Sequence, residues 1–98
     1  MKIYELTVLL KPDLGEKELD KSVKDLQALL TKNGAKVKSK NDPAKRSMAY
    51  QIVKGGRYRD AYYMYLELET EPGDIQKLEE QIKLNDSIIR HLLCQPNH

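Results

Sequence analysis

The cations and aromatic residues of segment 45–54 are the part of this chain best suited to a chemical task. The segment reads KRSMAYQIVK, with Lys45 and Arg46 at its start, Tyr50 within an alternating stretch and Lys54 at its end. It contains no nucleophile with an adjacent base. Cations beside aromatic side chains are typical of surfaces that neutralise phosphates. The segment therefore predicts a docking surface, with nucleic acid as the leading candidate for its occupant.

Positive charge is concentrated in the middle of the chain, although the whole is nearly neutral. The 98 residues carry 17 Lys and Arg against 15 Asp and Glu, a formal net charge of +2. Residues 36–59 hold eight of the cations, and Asp42 is the only acid there. Acids concentrate instead in residues 13–25 and 67–80. Because electrostatic attraction depends on where charges lie, the basic segment can attract an anionic partner despite the small net charge.

Residues that could support catalysis or metal binding are few and far apart. Cys94 is the only cysteine, so no internal disulfide or thiolate zinc cluster is possible, and we expect it to be a small buried hydrophobic residue. The spacing of His91 and His98 does not suggest a shared metal, and we expect His91 to have a structural or surface role. No phosphate-binding loop, dinucleotide fingerprint or nucleophile elbow occurs. We therefore expect no enzyme activity, no cofactor and no metal.

The length fits one domain, which we expect to span residues 1–98. The apolar start of the chain is broken by Glu5, lacks a small-residue cleavage site and is too short to span a bilayer. Together with the single cysteine, this start predicts a cytosolic or similarly reducing location.

Alternating apolar residues predict three strands. In residues 2–10, even-numbered residues form an apolar face and odd-numbered residues a mixed one. A second strand begins at Ala35 and is interrupted at residues 41–43. It resumes with Arg46, Met48, Tyr50 and Ile52 on one side, and Gly55-Gly56 marks a hairpin. The third strand has four apolar residues on one face and two tyrosines on the other. The first face holds Tyr62, Met64, Leu66 and Leu68; the second holds Tyr63 and Tyr65.

Apolar steps of three and four predict two helices. The first carries the stripe Leu19, Val23, Leu26 and Leu30, with a capping-box spacing from Asp13 to Glu16 and a stop at Asn33-Gly34. The second opens at Pro72 and buries Ile75, Leu78 and Ile82. Residues 87–95 are almost continuously apolar, which predicts a fourth strand in a central position.

The element order β-α-β-β-α-β predicts an α+β, ferredoxin-like domain. Right-handed crossovers convert this order into a four-stranded antiparallel sheet with two helices packed on one face. The other face stays open, with Ile3, Tyr63 and Tyr65 among its candidates. An open face that carries aromatic side chains is a ready docking surface.

Each basic or aromatic group also has a second interpretation. Lys36, Lys38 and Lys40 can guard an edge strand against pairing, with phosphate contact as the alternative. Lys45 and Arg46 can lie over apolar surface or contact RNA. Arg57, Arg59 and Lys54 cluster around the hairpin tip, where they can reach phosphates. Tyr63 and Tyr65 can stack on bases, but we favour a cross-strand ladder or a protein interface.

Over nearly its whole length the chain resembles the family of the sixth protein of the bacterial small ribosomal subunit. Four segments carry the likeness: Tyr4-Glu5 with LLKPD at 9–13, Asn33-Gly34-Ala35, KRSMAYQI at 45–52, and LNDSIIR at 84–90. The chain departs from the family pattern at three positions of the signature. Ala44 replaces the usual Gly, Met48 the usual Leu and Gln51 a frequent Pro.

The resemblance implies a structural constituent of the small ribosomal subunit, cytoplasmic and ribosome-bound. Such a protein binds the central domain of small-subunit ribosomal RNA together with the eighteenth small-subunit ribosomal protein, as a heterodimer, with no membrane or small-molecule partner. The phosphate candidates that follow are Lys2, Lys45, Arg46, Lys54 and Arg90, with Arg57 and Arg59 added on expected exposure alone. The protein-interface candidates are Tyr50, Tyr63 and Tyr65.

Three other functions stay open at this point. A free-standing reader of single-stranded RNA would use the open sheet face and would lose binding on Tyr63→Ala. An acylphosphatase shares the βαββαβ order, but the chain lacks a Gly-rich phosphate loop with a neighbouring Arg and Asn. A small-molecule regulatory module would show thermal shifts with amino acids.

Overall fold

The computed structural model of the chain describes residues 2–53 and 56–96, with every side chain in these ranges except that of Ala49. Within these ranges the strands and helices follow one another in the predicted order. They are β1 (Lys2–Leu10), α1 (Glu16–Lys32), β2 (Lys36–Lys40), β3 (Ala44–Val53), β4 (Arg57–Thr70), a 3-10 turn (Pro72–Asp74), α2 (Ile75–Lys83) and β5 (Ile88–Cys94). All strand pairs are antiparallel.

The predicted second strand consists of two strands, β2 and β3, that share one edge of β4. β2 pairs with residues 66–69 of β4, and β3 pairs with residues 57–63. At 14 residues, β4 is long enough to hold both along one edge and β1 along the other. The interruption predicted at residues 41–43 is confirmed, and the sheet is four strands wide, with β2 and β3 as one edge.

Both helices cover the same face of this sheet, as predicted. Apolar even-numbered side chains from the middle of β1 and β4 share one buried cluster with Leu26 and Leu30 of α1 and with Leu78 and Ile82 of α2. The sheet residues of this cluster include Leu6, Val8, Leu10, Met64, Leu66 and Leu68, each at most 1% exposed. Burial of this apolar area is the main favourable term that holds the helices on the sheet.

The ends of α1 are formed differently from each other. Gly34 has φ +87°, the left-handed conformation that the sequence predicted for the stop. The Asn33 side chain donates a hydrogen bond to the carbonyl oxygen of Leu29 over 2.8 Å. The capping box predicted from Asp13 is wrong, because Gly15 is the N-cap and no side chain caps the helix. Gly15 accepts the backbone N–H of Leu19 over 2.8 Å instead.

Two predictions about the C-terminal strand are wrong. β5 lies at an edge of the sheet, in the order β2-β4-β1-β5, and not in a central position. Its run of apolar residues has another cause, because Ile88 joins the helix-side core while Ile89 is buried on the opposite face. The register shift opposite Leu9 and Leu10 brings Ile89 to the same face as Arg90. Cys94 is exposed and not buried, because it ends this edge strand away from the helices.

Candidate functional site

The face of the sheet away from the helices carries three rows of side chains that run across β4, β1 and β5. Residues paired across adjacent strands point to the same face, so the register defines each row. The Leu9 row holds Tyr63, Leu9 and Arg90; the Thr7 row holds Tyr65, Thr7 and Leu92; the Glu5 row holds Glu67, Glu5 and Cys94. The open face therefore changes along the strands from aromatic and cationic to acidic.

Strand β3 contributes to this face from the far edge of the sheet. Between its pairs Ser47↔Asp60 and Ile52↔Tyr58, β3 advances five residues while β4 advances two. The surplus residues form a wide bulge, which bends the strand. Ile52 is buried in a second apolar cluster with Leu9 of β1 and Ile89 of β5, on the face opposite the helices. The β3–β4 arm (Ala44–Val53 with residues 57–63) thus folds back over the open face.

Tyr50 of β3 and Arg90 of β5 contact each other across the open face, although their strands lie at opposite edges of the sheet. The guanidinium Nη1 of Arg90 donates a hydrogen bond to the Tyr50 hydroxyl over 3.0 Å. Its Cζ lies 5.8 Å from the centroid of the Tyr50 ring, within range of a cation–π interaction. A predicted phosphate contact and a predicted interface residue therefore touch each other. One hydrogen bond leaves further guanidinium N–H groups for a ligand.

A groove of about 360 Å³ lies beneath this contact. Its lining is mostly apolar and is formed by Thr7, Leu9, Met48, Tyr50, Ile52, Tyr63, Arg90, His91 and Leu92. Tyr50 is 63% exposed and Leu92 64%, so two large apolar side chains stand at the rim in solvent. Leu92 and Met48 were not among the predicted site residues. The sequence did contain a signal for Leu92. Two consecutive leucines on a strand face opposite sides, so one of Leu92 and Leu93 had to lie on the open face.

The predicted interface tyrosines differ in how much of each ring is available. Tyr50 is the most exposed of the three. Tyr65 is 40% exposed and its backbone N–H donates to the Asn41 side chain over 2.6 Å. Tyr63 is half-buried and packs against the cluster that contains Ile52. Tyr63 therefore packs within the fold and leaves less of its ring available to a partner than Tyr50 or Tyr65 does.

The consecutive cations Lys45 and Arg46 point to opposite sides of β3. Lys45 pairs with Tyr62 and its Nζ lies 5.8 Å from the centroid of that ring, on the helix side. Arg46 lines a smaller cavity of about 170 Å³ on the open face with Asn41, Tyr63 and Tyr65. Both side chains are exposed. A single flat ligand on one face cannot contact both.

The remaining predicted cations are not all brought together. Arg57 and Arg59 are exposed at the start of β4, in the same arm as Lys45 and Arg46. Lys2 is exposed at the other end of the sheet, eight residues from Leu10 along β1, which is about 27 Å in a strand. Lys54, like Gly55 of the predicted hairpin and His98, lies outside the described residues.

The Glu5 row is a negative part of the open face. The Tyr65 hydroxyl donates a hydrogen bond to the Glu5 carboxylate, which raises the pKa of Tyr65; partial burial and then the charges of Glu5 and Glu67 raise it further. One rung farther along, Glu69 lies 3.6 Å from Lys38 of β2. Lys38 lies on the edge strand β2, as expected, and its ammonium group is paired with an acid of the neighbouring strand β4.

His91 lies on the helix side, where its Nε2 is 4.0 Å from Oε1 of Glu79 in α2. In residues 2–53 and 56–96, no three His, Cys, Asp or Glu side chains are grouped so that they could hold a metal ion. Nor does any helix of this described part combine the length and apolar character needed to cross a membrane.

The fold defines an α+β protein with two helices on an antiparallel sheet, and a solved structure shares it. The crystal structure of 30S ribosomal protein S6 from Thermotoga maritima superposes with a TM-score of 0.83 over 97% of this chain and 87% of that one, at 21% identity. At that identity the likeness establishes the ferredoxin-like fold, which confirms the predicted class.

The family follows from the sequence itself. Residues 3–95 match the family described as Ribosomal protein S6. Small ribosomal subunit protein bS6 of Moorella thermoacetica is 32% identical over 97% of this chain and 94% of its own length. Small ribosomal subunit protein bS6c of Guillardia theta is 37% identical over 91% and 90%. The chain belongs to the ribosomal protein S6 family, and the predicted resemblance is confirmed.

Proposed function

We propose that this chain is a structural component of the small ribosomal subunit in the cytoplasm and has no catalytic role. It binds the central domain of small-subunit ribosomal RNA together with the eighteenth small-subunit ribosomal protein. Membership of the S6 family supports this proposal. The observation that carries it is the apolar groove at Tyr50 and Leu92, which is exposed beside the basic β3–β4 arm.

The RNA backbone contacts the exposed cations of the β3–β4 arm. Lys45 and Arg46 reach out from the two sides of β3, and Arg57 and Arg59 extend the positive surface along β4. Arg90 adds a fifth cation from the facing edge. Cations spread around a projecting arm suit a curved phosphate backbone, whereas flat stacking on a sheet would need them on one face. Lys2 makes a separate contact with the RNA backbone, about 27 Å from Leu10 along β1.

The protein partner covers the groove on the open face. Exposed Tyr50 and Leu92 supply the apolar area that an interface core requires, and the groove below accepts an apolar side chain. Tyr50 is held by Arg90 before the partner arrives, so little side-chain entropy is lost there on binding. The partner and the RNA are then neighbours, because Arg90 borders both surfaces.

The RNA contact is tested with the double substitution Arg57→Gln, Arg59→Gln. The matched control is Lys17→Gln, Lys24→Gln, which removes two exposed cations from α1 on the other side of the molecule. Binding of a central-domain RNA fragment to the heterodimer is measured between about 50 and 200 mM salt. Each lost phosphate contact should reduce the slope of log K against log salt by about 1, so the double variant loses about 2. If the double variant and the control both keep the slope of the unmodified chain, Arg57 and Arg59 do not contact the RNA.

A free-standing reader of single-stranded RNA is the second candidate, and one observation favours it. Arg46, Tyr63 and Tyr65 surround the cavity of about 170 Å³ on the open face, where a base has room to stack. That reader binds short single strands without any protein partner and loses affinity on Tyr65→Ala and Tyr63→Ala. Binding that requires the partner protein decides for the heterodimer.

A further inference from the structure

Glu5 and Glu67 form an unusual pair on the open face. They lie directly opposite each other on β1 and β4, and both are only half-buried. Like charges directly opposite on adjacent strands destabilise a sheet. Among the described residues, neither carboxylate has a cationic partner within 4.0 Å, whereas Glu69 on the next rung is paired with Lys38. No cation of the described residues therefore balances this pair within that distance.

The third member of this site is the Tyr65 ring. Its hydroxyl donates to Glu5, and its ring stands 40% exposed beside the two carboxylates. A carboxylate pair next to an aromatic face is suited to a guanidinium, which can donate hydrogen bonds to carboxylate oxygens in its plane and stack on a ring. A phosphate would be repelled by the same two charges. RNA is thereby directed to the basic arm and away from the Glu5 row.

The Glu5 row and the groove lie on one continuous path along β1. Leu9, in the groove, is four residues from Glu5, and four strand residues span about 13 Å. The side chains between them are uncharged: Thr7 and its cross-strand neighbours Tyr65 and Leu92. An occupant that lies along this path meets an apolar site first and an acidic site about 13 Å farther on.

We propose that the open face binds a basic amphipathic segment of a protein partner, with an apolar side chain in the groove and an arginine or lysine seated between Glu5, Glu67 and Tyr65. The proposal rests on the proposed function and specifies the chemistry of its protein partner. The two anchors of that segment are about 13 Å apart, which corresponds to four residues in an extended chain or about nine in a helix. Charge complementarity, and not buried area alone, then fixes the direction in which the partner lies on the sheet.

The test uses the isosteric double variant Glu5→Gln, Glu67→Gln in the full chain. Its control is Glu18→Gln, Glu80→Gln, which removes two exposed acids from the helices and gives the same net charge. The probe is the purified eighteenth small-subunit protein of the same organism, titrated by calorimetry at several salt concentrations. We expect the Glu5/Glu67 variant to bind roughly three- to tenfold more weakly than the control at low salt, with a smaller salt dependence. Urea unfolding of the variant, the control and the unmodified chain checks that a loss of binding is not caused by a loss of folding.

Three outcomes overturn the proposal. If the Glu5/Glu67 variant and its control bind alike while Leu92→Ser weakens binding, the proposed function is retained, but Glu5 and Glu67 do not bind a basic residue of the partner. If the unmodified chain fails to bind the probe, the proposed function fails as well. If the variant instead changes self-association in sedimentation, or affinity for RNA without the partner, a second copy or the RNA occupies this surface.

Discussion

The two faces of one sheet are built from the same strands and have opposite properties. On β4, Leu66 is fully buried under the helices, while its neighbour Tyr65 stands 40% exposed on the other side. On the helix-covered face, the central apolar side chains of β1 and β4 all belong to the core: Leu6, Val8, Leu10, Met64, Leu66 and Leu68. On the open face, Tyr50 and Leu92 expose more than three-fifths of their area, which folding stability does not explain. Strand alternation puts Leu66 in the core and Tyr65 on the open face, and the large exposed side chains of that face are the ones that the proposed function assigns to a partner.

Truncation of one leucine on each face should give the largest contrast. Leu66→Ala should lower the free energy of unfolding by about 2–5 kcal/mol, because it leaves a cavity in the core. Leu92→Ala should change it by less than about 0.5 kcal/mol, because the side chain is largely in solvent. Urea unfolding followed by circular dichroism measures both.

Binding should show the reverse order of effects. Under conditions in which both variants are folded, Leu92→Ala should weaken binding of the eighteenth small-subunit protein, and Leu66→Ala should leave it nearly unchanged. If Leu92→Ala unfolded the chain as readily as Leu66→Ala, the open face would be part of the core and the contrast between the faces would be lost.

The spacing of apolar residues predicted the buried faces of the strands and helices well, because burial of one side of an element requires apolar residues at regular intervals. The apolar even-numbered residues of β1 are buried, as are Leu26 and Leu30 of the α1 stripe, and Leu19 and Val23 pack against the same core. The position of a strand within the sheet is not a local property, so β5 was wrongly placed at the centre. Its apolar run reflects the burial of Ile88 and Ile89 on opposite faces of the sheet. Local spacing also misassigned Asp13, since a cap depends on where the chain enters the helix.

The groove could be predicted only in part for the same reason. The alternation of β3 correctly put Met48, Tyr50 and Ile52 on one side. The contact between Tyr50 and Arg90 depends on the wide bulge in β3, which bends the arm across β4 and β1. A bulge is set by long-range packing, here of Ile52 on Leu9 and Ile89, and leaves no spacing signal in a single sequence.

Thr70 places a polar side chain within the helix-covered core. The side chain is fully buried, and its Oγ1 has no hydrogen-bond partner among the described residues. Thr70→Val keeps the shape and removes the cost of burying an unpaired hydroxyl, so it should raise the free energy of unfolding by about 1 kcal/mol. Thr7→Val on the open face is the control and should give little gain, because Thr7 is only half-buried. Equal effects in chemical denaturation would show that the hydroxyl of Thr70 is satisfied.

The smallest expected effect concerns ionisation on the open face. Because the Tyr65 hydroxyl donates to Glu5 in the folded state, the pKa of Tyr65 lies above its ordinary value of 10.0. The folded chain therefore holds this proton more tightly than the unfolded chain, so the interaction stabilises the fold below pH 10 and is lost as pH rises through the folded pKa. In a titration followed by NMR of the tyrosine rings, Glu5→Gln should move the Tyr65 midpoint down and leave that of Tyr50 in place. A Tyr65 midpoint that ignored Glu5→Gln would mean that the hydroxyl and the carboxylate are apart in solution, and the acidic end of the open face would lose the geometry that distinguishes it from the groove.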